Sequence, residues 1–304
     1  MNRLESKLGE ITLQNPVIPA SGTFAYGYEM ARFYDINVLG GIAIKAATRE
    51  PRTGNPLPRV AECHKGMLNA IGLQNPGVLG IVEHELPRLR RLYKGVVIGN
   101  VAGFSPEEYA QVASVLDKAE GIDILEVNVS CPNVQHGGMA FGVTPEGAAE
   151  VTRAVKAVCK KPVFVKLSPN VTDITQIAIA CEEAGADGLT MINTLLGMVV
   201  DTRTGRPIVS TKMAGYSGPS IKPVAQRMVY QVYEKVKIPI IGVGGIACAD
   251  DVIEMMSVGA SAVQVGTQTL VDPWACKKII DDLPEKMDRY CIQSLTQIIG
   301  RSHK

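Results

Sequence analysis

The sequence predicts an α/β fold in which parallel strands close into one barrel, and three observations lead to this fold class. Eight short runs rich in Val and Ile recur along the 304 residues, and stretches with a helical pattern separate most of them. Most runs are apolar on both faces, as buried parallel strands are. Polar residues stand where the runs end, which is where catalytic groups lie in α/β barrels. Together these features predict a single-domain TIM (β/α)8 barrel over residues 1–304.

The predicted strands are short and are spread along the whole chain. They cover residues 16–19, 41–45, 96–101, 124–129, 162–167, 188–193, 239–243 and 262–265. Glu126, inside the fourth run, is an exception to their apolar character. The alternative architecture is an open, doubly wound sheet, which is disfavoured because no G-x-G-x-x-G motif follows the first strand.

The predicted helices begin at capping signals. Ser105 precedes Pro106 and stands three residues before Glu108, which predicts a helix from this N-cap to about residue 119. Further helices are predicted over residues 144–160, 172–185, 219–235, 249–258 and 273–283. Residues 48–76 interrupt the pattern, because they carry four prolines and little helical period. We expect this excursion after the second strand to lie on the C-terminal face of the barrel, where loops build active sites.

Composition and charge narrow the classes of function. Basic residues number 31 and acidic residues 30, and aromatic residues make up 5%, so neither a nucleic acid nor an anionic membrane is an expected partner. The N-terminus has no apolar stretch of signal-peptide length, and the most apolar segment, 189–200, is too short to span a bilayer. The seven cysteines form no C-x-x-C pair, which indicates reduced thiols in a cytoplasmic protein.

A cysteine after the fourth predicted strand is a candidate catalytic residue. Cys131 lies in the segment Asn128-Val-Ser-Cys-Pro-Asn133, in a loop held by proline and glycine. A thiol in such a loop can lose its proton and act as a base or a nucleophile. The alternative role is a buried filler residue, which is the commoner role of an isolated cysteine. The position at a strand end favours the functional interpretation.

Two lysines and two glycine turns indicate an anionic ligand at the same end of the barrel. Lys45 ends the second predicted strand and Lys166 lies in the fifth, and a bound anion would offset the cost of burying their ammonium groups. Gly242-Val-Gly-Gly-Ile246 and Gly266-Thr267 follow the seventh and eighth strands, where barrels usually bind phosphate. The alternatives are lysines whose charges reach solvent and ordinary turns. The four histidines lack metal-ligand spacing, so no metal site is expected.

These residues resemble the motifs of the dihydroorotate dehydrogenases, and the resemblance covers nearly the whole chain. Residues 15–23 are similar to the family's opening strand and flavin loop, 69–73 to its substrate loop, 128–133 to its catalytic loop and 242–245 to its phosphate turn. Cys131 resembles the base of the soluble class 1 enzymes, whereas the membrane-associated class uses serine. The expected protein is therefore a class 1 enzyme.

Within class 1, residues 11–16, 20–23 and 133–138 are similar to the 1B subclass. In that subclass the catalytic subunit pairs with an electron-transfer subunit that carries FAD and a 2Fe-2S cluster and passes electrons to NAD+. The resemblance implies a heterotetramer of two catalytic and two electron-transfer chains. The 1A subclass is a homodimer that uses fumarate, and it carries a Ser-Met pair where this chain has Ala70-Ile71. FAD and the cluster would belong to the partner, because this chain has neither a cysteine cluster nor a dinucleotide motif.

The resemblance also assigns roles position by position. It implies that Cys131 removes a proton from C5 of (S)-dihydroorotate while a hydride leaves C6 for FMN, which yields orotate in de novo pyrimidine (UMP) biosynthesis. FMN contacts are implied for Ser21, Lys45, Ala46, Asn100, Asn128, Lys166, Ile192, Gly218, Gly244, Gly245, Gly266 and Thr267. Dihydroorotate contacts are implied for Lys45, Asn69, Ala70, Ile71, Gly72, Leu73, Asn128, Asn133, Asn193 and Thr194.

Three other functions remain open from the sequence. A domain similar to dihydropyrimidine dehydrogenase shares the flavin barrel and the base cysteine but reduces uracil or thymine. Another FMN barrel acts on dihydrouridine in tRNA, which the neutral charge disfavours. A barrel can also serve as a non-enzymatic binding protein. Lys45 and the set of asparagines favour a carboxylated pyrimidine as the substrate.

Overall fold

The computed structural model describes residues 2–129 and 141–304. The strands in these ranges are β1 (Ser6–Leu8), β2 (Ile11–Leu13), β3 (Val17–Pro19), β4 (Gly41–Ala43), β5 (Val60–Cys63), β6 (Gly66–Asn69), β7 (Val96–Val101), β8 (Ile124–Asn128), β9 (Val163–Lys166), β10 (Gly188–Met191), β11 (Leu195–Gly197), β12 (Ala214–Ser217), β13 (Ile240–Val243) and β14 (Ala262–Val265). The helices are α1 (Ser21–Phe24), α2 (Gly77–Gly80), α3 (Leu86–Leu92), α4 (Pro106–Lys118), α5 (Pro145–Lys156), α6 (Ile174–Glu183), α7 (Lys222–Tyr233), α8 (Ala249–Ser257), α9 (Gln268–Val271) and α10 (Ala275–Arg289).

Eight parallel strands in the described ranges form a barrel. Their order is β3-β14-β13-β10-β9-β8-β7-β4. The Gly40 N–H donates to the Val17 carbonyl at 3.0 Å, and this contact joins the two end strands of the sheet. Each of the eight predicted runs contains one barrel strand, with ends that differ by at most two residues. The predicted TIM (β/α)8 barrel is therefore confirmed.

The lower half of the barrel interior is apolar. Residues two apart on a strand point to the same side, so alternate residues of each strand face the barrel interior. The lower layers contain Ile18, Ala43, Ile98, Ile124, Phe164, Ile241 and Ala262, all at most 1% exposed. Leu8 and Leu13 of the β1–β2 hairpin belong to the same cluster, so the hairpin closes the N-terminal end of the barrel.

The helices begin where the capping signals predict. The side-chain oxygens of Ser105, Thr144 and Asp173 accept hydrogen bonds from backbone N–H groups in the first turns of α4, α5 and α6. Such N-caps satisfy donors that have no partner within the helix. The predicted starts of these three helices are confirmed, although α5 ends at Lys156, four residues before the predicted end.

The last long helix extends further than the sequence indicates. It was expected to end at residue 283, but α10 continues through Pro284 to Arg289. A proline inside a helix removes one hydrogen bond and usually bends or ends the helix. The buried stripe of α10 continues beyond the proline to Met287, which is fully buried. We attribute the longer helix to this packing, which outweighs the local cost of the proline.

The excursion after the second barrel strand contains a hairpin that the sequence did not predict. Strands β5 and β6 pair antiparallel and join β12 and β11 in a four-stranded sheet of order β11-β12-β6-β5. This cap sheet, defined by those four strands, places side chains of β5 and β6 against the C-terminal end of the barrel. The expected position of the excursion over the C-terminal face is confirmed.

None of the helices in the described ranges combines the length and the apolar character that a bilayer crossing requires.

Candidate functional site

A cavity of about 500 Å³ lies between the C-terminal ends of the barrel strands and the cap sheet. This volume is in the range of small-molecule and cofactor sites, roughly 300–1,000 Å³. Lys166, Asn128 and Val243 reach it from the barrel strands, whereas Met67 and Asn69 reach it from the cap sheet. The barrel and the excursion therefore build one enclosed site between them.

The structure brings most of the predicted site residues to this cavity. Its lining includes Ser21, Lys45, Ala46, Asn128, Lys166, Ile192, Gly218, Gly244, Gly245, Gly266 and Thr267 from the predicted FMN contacts. It also includes Asn69, Ile71, Gly72, Leu73, Asn193 and Thr194 from the predicted substrate contacts. Asn100 and Ala70 are not part of the lining and are almost fully buried. Cys131 and Asn133 lie outside the described residues, and the roles of all these residues stay predictions.

Among the described residues, both charged side chains that line the cavity are lysines. Lys45 follows β4 and Lys166 ends β9, and both side chains line the cavity. No Asp or Glu occurs among the described lining residues. An enclosed site of one charge sign attracts a ligand of the opposite sign, because the low-dielectric walls focus the field. The site is therefore suited to an anionic ligand.

Polar side chains beneath the cavity hold Lys166. Its ammonium Nζ donates to Gln264 Oε1 at 2.9 Å and lies 3.3 Å from Glu126 Oε1. Lys166 is 6% exposed, whereas Glu126 and Gln264 are fully buried. A buried ammonium without a counter-ion would be costly, so the carboxylate offsets the desolvation of the lysine.

A small amide cluster forms another part of the wall. Asn193 Nδ2 donates to Asn128 Oδ1 at 3.1 Å, and Asn193 Oδ1 accepts from the Thr194 N–H at 2.8 Å. The Tyr109 hydroxyl donates to the Asn128 carbonyl at 2.8 Å and holds the end of β8. Carboxamides supply both donors and acceptors, so this cluster can match a planar ligand that carries amide groups.

The turn after β13 packs tightly against the start of α7. Gly245 has a φ of +76°, and a Cβ placed there would lie 2.6 Å from Lys222 Cβ and 2.9 Å from the Lys222 backbone N. Lys222 Nζ in turn contacts Asp251 Oδ1 at 2.6 Å and Glu254 Oε2 at 2.7 Å. Burial lowers the pKa of Lys222, but the hydrogen bonds to these two carboxylates outweigh it and hold the pKa above its usual value. The ion pairs therefore fix the neighbour against which Gly245 packs.

The turn after β14 leaves open space beside its glycine. A Cβ at Gly266 would meet only Ala20 Cβ, at 4.0 Å, although Gly266 lines the cavity. Thr267 Oγ1 donates to Ser217 Oγ at 2.9 Å and joins this turn to β12 of the cap sheet. Backbone N–H groups at such a turn can approach a ligand closely, because no side chain intervenes.

Sequence reasoning missed several residues of the site. Met67 and Ser217 line the cavity from cap-sheet strands that were not predicted, and no local pattern marks them. In the sequence, Glu126 stands out as a charged exception in an apolar run, and Gln264 stands inside the last run. A charged or amide side chain in an otherwise apolar strand is the sequence signal for the polar layer beneath the cavity. No group of three or more His, Cys, Asp or Glu side chains in the described ranges is arranged to hold a metal ion.

Comparisons with known proteins agree on one family. The family model described as dihydroorotate dehydrogenase matches residues 3–287. A protein of Geobacillus kaustophilus described as "Dihydroorotate dehydrogenase B (NAD(+)), catalytic subunit" is 56% identical over 304 residues, which cover 100% of this chain and 97% of that protein. A protein of Exiguobacterium sibiricum with the same description is 55% identical, over 100% of this chain and 98% of that protein. Another, of Bacillus caldolyticus, is 56% identical, over 100% of this chain and 97% of that protein.

Proposed function

The chain belongs to the dihydroorotate dehydrogenase family, and we propose that it oxidises (S)-dihydroorotate to orotate in pyrimidine biosynthesis with FMN bound at the mouth of the barrel. One observation carries this proposal. A single cavity joins two lysines, an amide cluster and two glycine turns, and every described residue with a predicted FMN or dihydroorotate contact, except Asn100 and Ala70, lines it. We further propose that residues 1–304 act as one FMN-binding domain.

The residues present fit FMN in charge and in shape. The open space at Gly266 and the absence of carboxylates among the described lining residues leave room and positive charge for a phosphorylated ligand. Gly244, Gly245 and Lys45 line the same cavity. When bound, FMN supplies the two-electron acceptor that the oxidation of dihydroorotate requires.

The glycine turns are the proposed phosphate end of the site. Gly218, Gly244, Gly245, Gly266 and Thr267 would hold the phosphate, mostly through backbone N–H groups, as loops after the last two strands do in many barrels. The ion pairs of Lys222 support this role, because they keep the start of α7 in contact with Gly245.

The barrel strands would hold the ring and the ribityl chain of FMN. The proposed contacts are Ser21, Lys45, Ala46, Asn128, Lys166 and Ile192. Asn100 does not line the cavity and would support these contacts from beneath it. Lys166 would place a positive charge beside the ring, which favours a state with added negative charge. Its buried partners keep the ammonium in a fixed position.

The amide cluster and Lys45 are the proposed substrate contacts. A pyrimidine carboxylate presents amide edges and one negative charge, which match carboxamide donors and acceptors and an ammonium group. Asn69, Asn128, Asn193 and Thr194 line the cavity together with residues 71–73. Ala70 would contribute through its backbone, and Asn133 would complete the set.

Cys131 is the proposed base that removes the proton at C5. It follows Asn128 by three residues in the sequence, and the Asn128 side chain lines the cavity. General base catalysis typically contributes about 10²–10⁴-fold to a rate. The variant Cys131→Ala should therefore bind FMN and orotate and lose roughly that factor in the rate of FMN reduction by dihydroorotate. A wild-type rate of single-turnover reduction in this variant would exclude Cys131 as the base.

The proposed partner is an electron-transfer subunit with FAD and a 2Fe-2S cluster, which passes the electrons to NAD+. Two catalytic and two electron-transfer chains would form a heterotetramer in the cytoplasm. The proposal is supported by the description of the relatives as catalytic subunits of an NAD(+) enzyme. The six described cysteines are all free thiols, which is in keeping with a reducing compartment.

Anaerobic titration of the purified, FMN-loaded chain tests the proposed reaction. We expect dihydroorotate to bleach the visible flavin band with formation of orotate, and dihydrouracil to leave the band unchanged. Bleaching by dihydrouracil alone would instead favour a dihydropyrimidine dehydrogenase activity. A protein that cannot be loaded with FMN would contradict the proposal altogether.

An acceptor screen tests the proposed partner separately. The reduced chain alone should reduce NAD+ slowly or not at all, and addition of an iron–sulfur flavoprotein of the proposed kind should restore NAD+ reduction. Rapid NAD+ reduction by the isolated chain would exclude the partner. Efficient turnover with fumarate would point to the 1A type of enzyme.

A further inference from the structure

Four polar side chains from four barrel strands form a layer directly beneath the cavity. Glu126 of β8 lies at its centre and is fully buried. Its Oε1 accepts from Asn100 Nδ2 of β7 at 2.5 Å and lies 3.3 Å from Lys166 Nζ, and its Oε2 accepts from Gln264 Nε2 of β14 at 2.5 Å. Gln264 Oε1 accepts from Lys166 Nζ at 2.9 Å, which closes a ring of hydrogen bonds.

Lys166 is the member of this layer that reaches the cavity. Asn100, Glu126 and Gln264 are at most 1% exposed and do not line it. The layer below them is apolar, and Ile124 stands two residues before Glu126 on the same face of β8. Glu126 can therefore influence a ligand in the cavity only through Lys166 and through its own charge.

We propose that Glu126 is a positioning residue that fixes the Lys166 ammonium and compensates its charge, and that it thereby sets the balance between oxidised and reduced FMN in this site. The proposal rests on the proposed function in one respect, namely that FMN is the ligand above Lys166. The oxidised flavin ring is neutral, whereas the two-electron reduced ring carries a negative charge at neutral pH. The net charge of the Lys166–Glu126 pair therefore acts differently on the two forms.

The hydrogen-bond pattern shows why the carboxylate is required at this position. In the variant Glu126→Gln, the new NH₂ group would face Gln264 Nε2, so two donors would meet. Reversing the Gln264 amide would relieve that conflict but would turn its NH₂ group toward the Lys166 ammonium, which is also only a donor. Reversing the new amide together with the Asn100 amide would instead turn the new NH₂ group toward the Lys166 ammonium. Each of these arrangements places two donor groups together.

Exchanging Glu126 and Gln264 restores a donor and an acceptor in every hydrogen bond of the layer. In Glu126→Gln/Gln264→Glu, the carboxylate on β14 would accept from Lys166 and from the new amide on β8. The oxygen of that amide would accept from Asn100 and Lys166. The double variant keeps one buried carboxylate beside the ammonium, so it provides a matched control for charge and for hydrogen bonding.

The test is the two-electron midpoint potential of bound FMN, measured with the dissociation constants of both forms. Glu126→Gln removes a negative charge from beneath the cavity and should raise the potential, whereas Lys166→Met removes a positive charge and should lower it. We expect each variant to change the ratio of the two dissociation constants at least tenfold, which corresponds to about 30 mV for a two-electron couple. A purely structural disturbance has no reason to move the potential in opposite directions.

Two further variants complete the experiment. The exchanged double variant should have the wild-type potential, and Ile124→Val, which alters the apolar layer beneath, should leave it unchanged even if it lowers stability. Shifts of the same sign in Glu126→Gln and Lys166→Met, or no shift in either, would overturn the inference. If Glu126→Gln does not fold, the other two variants decide: a Lys166→Met potential that is not lowered, or an exchanged variant whose potential departs from the wild-type value by about 30 mV or more, would contradict the role of Glu126.

The two proposals fail in distinguishable ways. A wild-type chain that binds no FMN overturns the proposed function and this inference with it. A wild-type chain that binds FMN and is reduced by dihydroorotate, but whose potential is unaffected by these variants, overturns only the role of Glu126.

Discussion

Replacing Gly245 with alanine tests whether the glycine turn after β13 is shaped to receive a ligand. The alanine Cβ would lie 2.6 Å from Lys222 Cβ and 2.9 Å from both the Cα and the backbone N of Lys222. These atoms belong to the start of α7 and cannot move aside by a side-chain rotation. The ion pair of Lys222 with Asp251, at 2.6 Å, further restrains this position. The turn itself must therefore shift.

The size of the effect follows from the geometry. A φ of +76° costs an alanine about 1–2 kcal/mol. Carbon atoms pack at about 3.5–4.0 Å, so the turn must move by roughly 1 Å. A shift of this size weakens hydrogen bonds from the turn to a bound phosphate, and one hydrogen bond to a charged group contributes about 1.5–3 kcal/mol. Because about 1.4 kcal/mol is a tenfold change, we expect the FMN dissociation constant to rise about 10- to 100-fold.

Titration of the apoprotein with FMN, followed by flavin fluorescence, measures this constant. The matched control is Gly9→Ala, because Gly9 has a similar φ of +61° and no atom within 4 Å of the added Cβ. It lies between β1 and β2 at the other end of the barrel. The control should lose about 1–2 kcal/mol of unfolding free energy and keep its FMN affinity. An unchanged FMN dissociation constant in Gly245→Ala would refute the assignment of this turn.

Three further predictions have defined outcomes. Lys45→Met should raise the orotate dissociation constant about tenfold or more, since a charge-assisted hydrogen bond contributes about 1.5–3 kcal/mol. Titration calorimetry measures this constant, and an unchanged value would contradict the proposed contact. Burial raises the pKa of Cys276 to about 12, so native protein at mildly alkaline pH should be alkylated at the exposed Cys291 but not at Cys276, as mass spectrometry can show. A hydrogen bond from Lys286 lowers the pKa of Asp250 in the folded protein. The ionised Asp250 therefore stabilises the fold above about pH 4, and this contribution is lost as the pH falls through the lowered pKa. Asp250→Asn should therefore cost up to about 1 kcal/mol of unfolding free energy at neutral pH and little at low pH, and an equal cost at both would contradict this.

The barrel was predictable because its signal is local. Parallel strands covered on both faces are continuous apolar runs, and each run named from the sequence contains a barrel strand. The cap sheet gives no such signal. Strand β5 is alternately exposed and half-buried, and β6 pairs with β12, which lies about 150 residues further along the chain. Pairing over that distance is decided by tertiary packing and not by neighbouring residues.

The residues at the mouth of the barrel were predictable from the sequence, but the polar layer beneath them was not. Strand ends identify which side chains can face the mouth of a barrel, and most of the named residues do line the cavity. The positions of strand ends in the sequence do not show how deep a side chain lies along the barrel axis. Asn100 was therefore predicted at the mouth, whereas the structure places it in the polar layer beneath the cavity, where it donates to Glu126. The partners of Lys166 could not be predicted either, because Glu126 and Gln264 are 40 and 98 residues from it in sequence. Only the closed barrel brings these residues together.

A crystal structure of the chain with FMN and orotate would locate both ligands directly. We expect FMN density in the cavity at the mouth of the barrel, with the phosphate at the turns of Gly245 and Gly266, the ring beside Lys166, and orotate between the ring and Cys131. Density for FMN at another surface, or a Cys131 sulfur turned away from orotate, would contradict it.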